Sequence, residues 1–244
     1  MTVVGVAAFV FILGAIANCA RAETWSTVYQ TDFSTNPGWT TNAPSNMYWD
    51  STGGRYHLQN TDSANQYTYV SLPTSSRYKL EFDIMATRND WAGDIRFGLS
   101  DSSMDYNGTL IDVNYWRGDL GNGTMAWYHQ SGGGGGSVGS AYEFLHQLNV
   151  WYHNVLTYDS AAGGSISWQA TRVSDGALMA NVSASGLGSF SGINRLYSSD
   201  IGDTYAPGNT GAGYIDNLVV STPEPATLSL LALGGLALLR RRGR

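Results

Sequence analysis

Tyr78-Lys79-Leu80-Glu81-Phe82-Asp83-Ile84 alternates without a break. Successive side chains of an extended strand point to opposite sides, so Leu80, Phe82 and Ile84 share one face and Lys79, Glu81 and Asp83 the other. A strand that is apolar on one face and charged on the other belongs to an antiparallel sheet, because strands of a parallel α/β sheet are apolar on both. The heptapeptide predicts an all-β domain with a second layer packed against the Leu80–Phe82–Ile84 face.

Working outward, strand signals recur at intervals of about 8–14 residues, separated by Gly, Asn, Asp and Ser clusters. They cover Trp25–Phe33, Arg55–Gln59, Gln66–Leu72, Arg77–Met85, Asp94–Leu99, Thr109–Trp116, Thr124–His129, Trp151–Tyr158, Ser165–Val173, Ala177–Ser183 and Tyr214–Val220. Ser174-Asp175-Gly176 joins two of them in a hairpin, with Gly supplying the positive φ of a tight turn. The one helix-like window is Ala141–Leu148. Five glycines between Ser131 and Ser137 read as a loop over one edge, since neither flank could close a sandwich by itself.

The ends have another character. Val3 to Ala17 is an apolar run followed by Ala20-Arg21-Ala22, the pattern of a signal peptide cut before Glu23, although no Lys or Arg precedes the run. At the other end come Thr222-Pro223-Glu224-Pro225, an apolar segment Ala226–Leu239, and then Arg240, Arg241, Arg242 and Arg244. Prolines stop a strand because they donate no ladder hydrogen bond. The Leu/Ala segment favours helix, and the arginines hold its end in the cytoplasm. The expected organisation is residues 1–22 as signal peptide, 23–221 as one domain and 222–244 as a tail.

Of 13 basic and 19 acidic residues, five arginines and Glu224 lie in the two ends. The domain keeps 8 basic and 18 acidic groups, a net charge of −10. That excludes attraction to nucleic acid and leaves the membrane only the tail as a foothold, before processing. Cys19 lies in the signal peptide, so the domain has neither disulfide nor catalytic thiol.

The order of Pro-Glu-Pro, short apolar helix and basic terminus resembles the PEP-CTERM sorting signal. The resemblance implies that Pro223, Glu224, Pro225 and Arg240–Arg242 are recognised by an exosortase. Signal peptidase would act at the other end. The implied destination is the surface or extracellular matrix of a Gram-negative bacterium that makes exopolysaccharide, after transient anchoring in the inner membrane.

The strand inventory describes a two-sheet antiparallel jelly-roll sandwich, flanked by a signal helix and a C-terminal apolar helix. Thr31-Asp32-Phe33 with Pro37-Gly38-Trp39, Trp151–Tyr158, and Tyr214–Val220 resemble concanavalin-A-like and laminin-G-like sandwiches. In such modules the first and last strands lie side by side and often share a structural calcium, which assigns Asp32 and Asp216 as metal ligands. Oxygen donors and negative charge suit Ca²⁺. The alternative is that both aspartates terminate turns.

Glu81-Phe82-Asp83-Ile84-Met85-Ala86 resembles the Glu-x-Asp-x-x-Glu strand of laminarinase- and lichenase-like glycosidases, with Ala86 in place of the second glutamate. Retaining hydrolysis needs two carboxyls, so no catalytic residue is assigned. His57, His129, His146 and His153 show no metal spacing. Aromatic residues near turns and polar neighbours remain, with Trp49, Trp91 and Trp116 as the candidates for stacking on sugars. The reading is a non-enzymatic surface protein that binds exopolysaccharide or acts as a structural coat; the alternative is a glycan-active hydrolase or lyase.

Overall fold

A computed structural model describes residues 24–61, 66–90, 95–101, 108–117, 121–130, 144–160, 163–187, 192–200 and 210–224. The expected signal peptide and apolar tail lie outside these residues. Fifteen strands are described: β1 Trp25–Thr31, β2 Thr40–Thr41, β3 Met47–Asp50, β4 Arg55–Thr61, β5 Gln66–Ser71, β6 Arg77–Asn89, β7 Ile95–Ser100, β8 Gly108–Arg117, β9 Gly121–Gln130, β10 Phe144–Leu145, β11 Tyr152–Asp159, β12 Ser165–Arg172, β13 Leu178–Ala184, β14 Arg195–Asp200 and β15 Thr210–Pro223. They form an eight-stranded sheet, β13-β12-β11-β6-β15-β4-β3 with β1 also on β15, and a seven-stranded sheet, β10-β9-β8-β7-β14-β5-β2. Every pairing with a described register is antiparallel. The first and last strands are neighbours, as the jelly-roll resemblance implies.

The opening heptapeptide lies in β6, between β11 and β15. Leu80, Phe82 and Ile84 are fully buried. Phe82 meets Phe97 of the opposite sheet edge-to-face, with ring centroids 4.8 Å apart. Polar atoms on large core side chains find partners, as burial demands. Trp168 Nε1 donates to Asn154 Oδ1 at 3.0 Å, Trp127 Nε1 to Thr109 Oγ1 at 2.9 Å, and the Tyr78 hydroxyl to the Ile193 carbonyl at 3.1 Å.

The helix-like window needs correction. Phe144 and Leu145 form β10, paired with Met125 and Thr124 of β9. Phe144 packs on Tyr152 and Trp168, at 5.3 and 6.3 Å between ring centroids. A partner strand and an aromatic pocket outweigh local helix propensity. The strand pattern also missed β2, β3 and β14; in β14 Ser198 and Ser199 dilute the β-branched and aromatic signal. The Ser174–Gly176 turn is as expected, with Gly176 at φ 69° and Asp175 Oδ1 accepting the Ala177 N–H at 3.1 Å.

The chain divides into two units, Thr27–Thr222 and the terminal segments Met1–Ser26 with Pro223–Arg244. Within the second, the Glu224 N–H donates to the Thr24 carbonyl at 3.0 Å.

Candidate functional site

The outward face of the seven-stranded sheet carries a small aromatic cluster separate from the core. Its origin is the alternation of β5. Thr68 points inward and is fully buried, so Tyr67 and Tyr69 point outward. Register carries the row across the sheet: Tyr69 faces Tyr197, Tyr197 faces Gly98, Gly98 faces Leu110, and Leu110 faces Tyr128. Tyr197 and Leu110 are nearly buried there, with Tyr67 and Tyr69 half-exposed against them. The Tyr67 and Tyr69 rings lie 6.2 Å apart at 37°. The Arg195 guanidinium sits 4.4 Å from the centre of the Tyr69 ring, a cation–π contact. Gly98 is required at the middle of the row, because a Cβ there would strike the Thr109 carbonyl and approach Leu110 Cα to 2.8 Å.

Such a face offers flat apolar rings with polar tips and a guanidinium donor. Rings and a guanidinium so placed can stack on a flat apolar surface and donate hydrogen bonds beside it. The two tyrosines were missed among the sequence candidates although their signal was legible: Tyr67-Thr68-Tyr69 puts two rings on one face of a strand.

The outward face of the eight-stranded sheet carries rings as well: Tyr48 stacks on His57 and His57 meets Tyr214, at 4.6 and 5.1 Å between ring centroids, with the Arg55 guanidinium 3.7 Å from the centre of the Tyr214 ring. The rest of that face is polar. Register aligns His153, Asp83 and Asp216 across β11, β6 and β15. His153 Nδ1–H donates to Asp83 Oδ1 at 2.7 Å, and Asn217 Nδ2 donates to Asp83 Oδ2 at 2.8 Å. Asn217 occupies a β-bulge between Asp216 and Val219 at φ 52°, a conformation Asn tolerates. The bond to Asp83 raises the His153 pKa. Burial raises that of Asp216, and the charges of Asp83 and Asp32 add to it. The Ser34 hydroxyl and then the Ser34 N–H lower that of Asp32.

Asp216 stands in the row beside Asp83, and the charge of Asp32 bears on it. Asp32 and Asn217 also line a shallow groove of ≈ 410 Å³ with Gln30, Thr31, Thr35, Leu218 and Val219. The donors are all oxygen or amide. Among the described residues no three His, Cys, Asp or Glu side chains converge as metal ligands. Trp49 is half-buried against the core, its indole N–H donating to the Phe33 carbonyl at 2.8 Å. Trp91 lies outside the described residues, and Trp116 belongs to β8 with its side chain outside them. Glu81 pairs with Lys79 at 2.7 Å, and Ala86 is buried in the core.

Residues 221–244 match the PEP-CTERM protein-sorting motif. The chain therefore carries the C-terminal signal of an exported, exosortase-sorted protein. A search of curated proteins found no match. Among solved structures, the metal-free Emp46p carbohydrate recognition domain is similar with a TM-score of 0.51 and 18% identity, over 81% of this chain and 97% of that one. Peanut lectin is similar at 0.52 and 12%, over 83% and 99%. A xylan β-1,4-xylosidase from Bacillus halodurans C-125 scores 0.55 at 9%, over 77% of this chain and 38% of that one. The domain is a lectin-like, concanavalin-A-like jelly roll.

The His153–Asp83 bond has a pH signature. A folded pKa above the unfolded ~6.5 gives stability that is complete below pH ~6.5 and lost as pH rises through the folded value. His153 is partly exposed, so the loss is below about 1 kcal/mol, or ~2–4 °C at most. Melting residues 23–222 between pH 6 and 8.5 should show this fall, and His153→Gln should abolish it. An identical pH slope in both chains would contradict the assignment.

Proposed function

We propose that this chain is delivered by its sorting signal to the surface or extracellular matrix of a Gram-negative bacterium. Its signal peptide and tail are removed, and its sandwich binds exopolysaccharide without cutting it. The observation that carries the binding reading is the tyrosine face of the seven-stranded sheet, with Tyr67, Tyr69, Tyr197 and Arg195 in contact. The fold shared with a carbohydrate recognition domain and a lectin supports it. A net charge of −10 favours a neutral glycan over an acidic one. Trp91 and Trp116 join this reading as further stacking residues. Affinity per site should be weak, ~0.1–1 mM, so retention rests on many copies on one surface.

Tyr69→Ala should abolish retention of residues 23–222 on the bound polysaccharide while shifting the melting temperature little. Trp49→Ala separates packing from binding: its core contacts predict a lower melting temperature, whereas lost retention at unchanged stability would make it a binding residue. Undiminished retention in Tyr67→Ala/Tyr69→Ala would remove the site, and no retention on any glycan would leave a structural coat.

The second reading, a glycan-active hydrolase or lyase, has one observation in its favour, the His153–Asp83 pair on the outward side of β6 and β11. Products released in proportion to protein and time, and lost in Asp83→Asn, would establish it.

Calcium is part of the proposal. The oxygen donors of Asp32 and Asp216 fit a hard cation, which would offset the repulsion between them. An ion bound only to the folded chain at a hundredfold excess over Kd adds about 2.7 kcal/mol. EDTA should then lower the melting temperature by about 5–10 °C. An unchanged melting temperature would rule the site out.

A further inference from the structure

The sorting motif overlaps the last strand in sequence. The match begins at Ser221, which is buried in β15 and paired with Lys79 of β6. β15 itself runs through Pro223, the first residue of Pro223-Glu224-Pro225. Neither proline has an N–H, so Glu224 supplies the one backbone donor in the tripeptide. That donor is engaged: it bonds the Thr24 carbonyl at 3.0 Å. The Glu224 carboxylate is engaged too, with Oε1 accepting from the Ser26 hydroxyl at 3.5 Å. Thr24 and Ser26 stand just beyond the expected cleavage site before Glu23, at the start of the first strand.

We propose that the folded chain masks its own sorting motif, by pairing the start of β1 with the end of β15. The inference rests on the sorting reading above. An enzyme that reads a peptide in extended form uses the main-chain groups of that peptide. Here it competes with Thr24 for the Glu224 N–H and with Ser26 for the carboxylate. Thr24 leaves the membrane first and Glu224 last, so the contact can form only when the sandwich closes. A newly exported chain presents a free motif; a closed chain presents it only while the strand ends are frayed. Processing is thereby coupled to folding, and chains that close before meeting the exosortase are processed slowly.

The test follows the full-length precursor by pulse-chase in a host that carries the exosortase. One variant inserts ten Gly/Ser residues between Thr222 and Pro223. A second, Ser26→Pro, disturbs the start of β1 without lengthening the chain. A third places the same insert in the Ser174–Gly176 turn as a control. Loss of one or two net backbone and side-chain bonds should shorten the precursor half-life roughly 2- to 10-fold in the first two, with the control unchanged. Equal or longer half-lives in the first two would overturn the proposal. So would acceleration by the insert alone, which points to crowding by the domain rather than to pairing. No processing of any chain, the unaltered one included, would instead overturn the sorting reading.

Discussion

The inner face of β6 is the constraint on which the rest of the molecule depends. Leu80, Phe82 and Ile84 are fully buried in the middle strand of a three-strand row, and Phe82 abuts Phe97 of the second sheet. Burying each such side chain is worth roughly 1.5–3 kcal/mol, so the register of β6 has no competitor nearby. A slip by one residue would turn Lys79, Glu81 and Asp83 into the core. Because parity is fixed, Asp83 must face outward, opposite His153 on one side and Asp216 on the other. The bulge at Asn217 then resolves two adjacent carboxylates by placing an amide donor 2.8 Å from one of them.

Both outward faces that result carry rings with a guanidinium against one of them: Tyr48, His57 and Tyr214 with Arg55 on the eight-stranded sheet, and Tyr67, Tyr69 and Tyr197 with Arg195 on the other. Basic residues of the eight-stranded sheet are ion-paired locally: Arg55 with Asp50, Arg77 with Asp159, and Lys79 with Glu81. These pairs are partly exposed and each contributes little to stability. On the seven-stranded sheet Tyr67 and Tyr69 are partly exposed beside the nearly buried Tyr197. Hydroxyl-bearing rings in a half-wet setting retain both stacking area and hydrogen-bonding capacity.

Much of the fold was legible because β-sandwich physics is written in period two. The heptapeptide in β6, the Ser174–Gly176 turn and the paired first and last strands all followed from alternation, turn chemistry or the jelly-roll resemblance. What escaped was decided by distant partners. Phe144 and Leu145 are strand only because β9 offers an edge and Tyr152 and Trp168 offer a pocket. β14 has serine at two of six positions and is held by β5 and β7 on either side. The site was less legible than the fold. The sequence singles out Trp49 for the turn and polar residues beside it, yet Trp49 spends its indole N–H on the Phe33 carbonyl and packs on the core. Alternation alone puts Tyr67 and Tyr69 on one face of a strand, but that they meet Tyr197 and Arg195 shows only in the cross-strand register. Asp32 and Asp216 are paired by the jelly-roll resemblance; in the fold Asp32 lines the groove with Asn217, and Asp216 stands beside Asp83.

The central claim is that the tyrosine face of the seven-stranded sheet holds sugar. Titration of isotope-labelled residues 23–222 with oligosaccharides from the producing cell's own exopolysaccharide, followed by backbone and aromatic NMR shifts, tests it directly. The claim predicts saturable shifts centred on Tyr67, Tyr69, Arg195, Tyr197 and Leu110, with the His153–Asp83–Asn217 row silent. Shifts confined to that polar row, or no shifts at millimolar sugar, would contradict it.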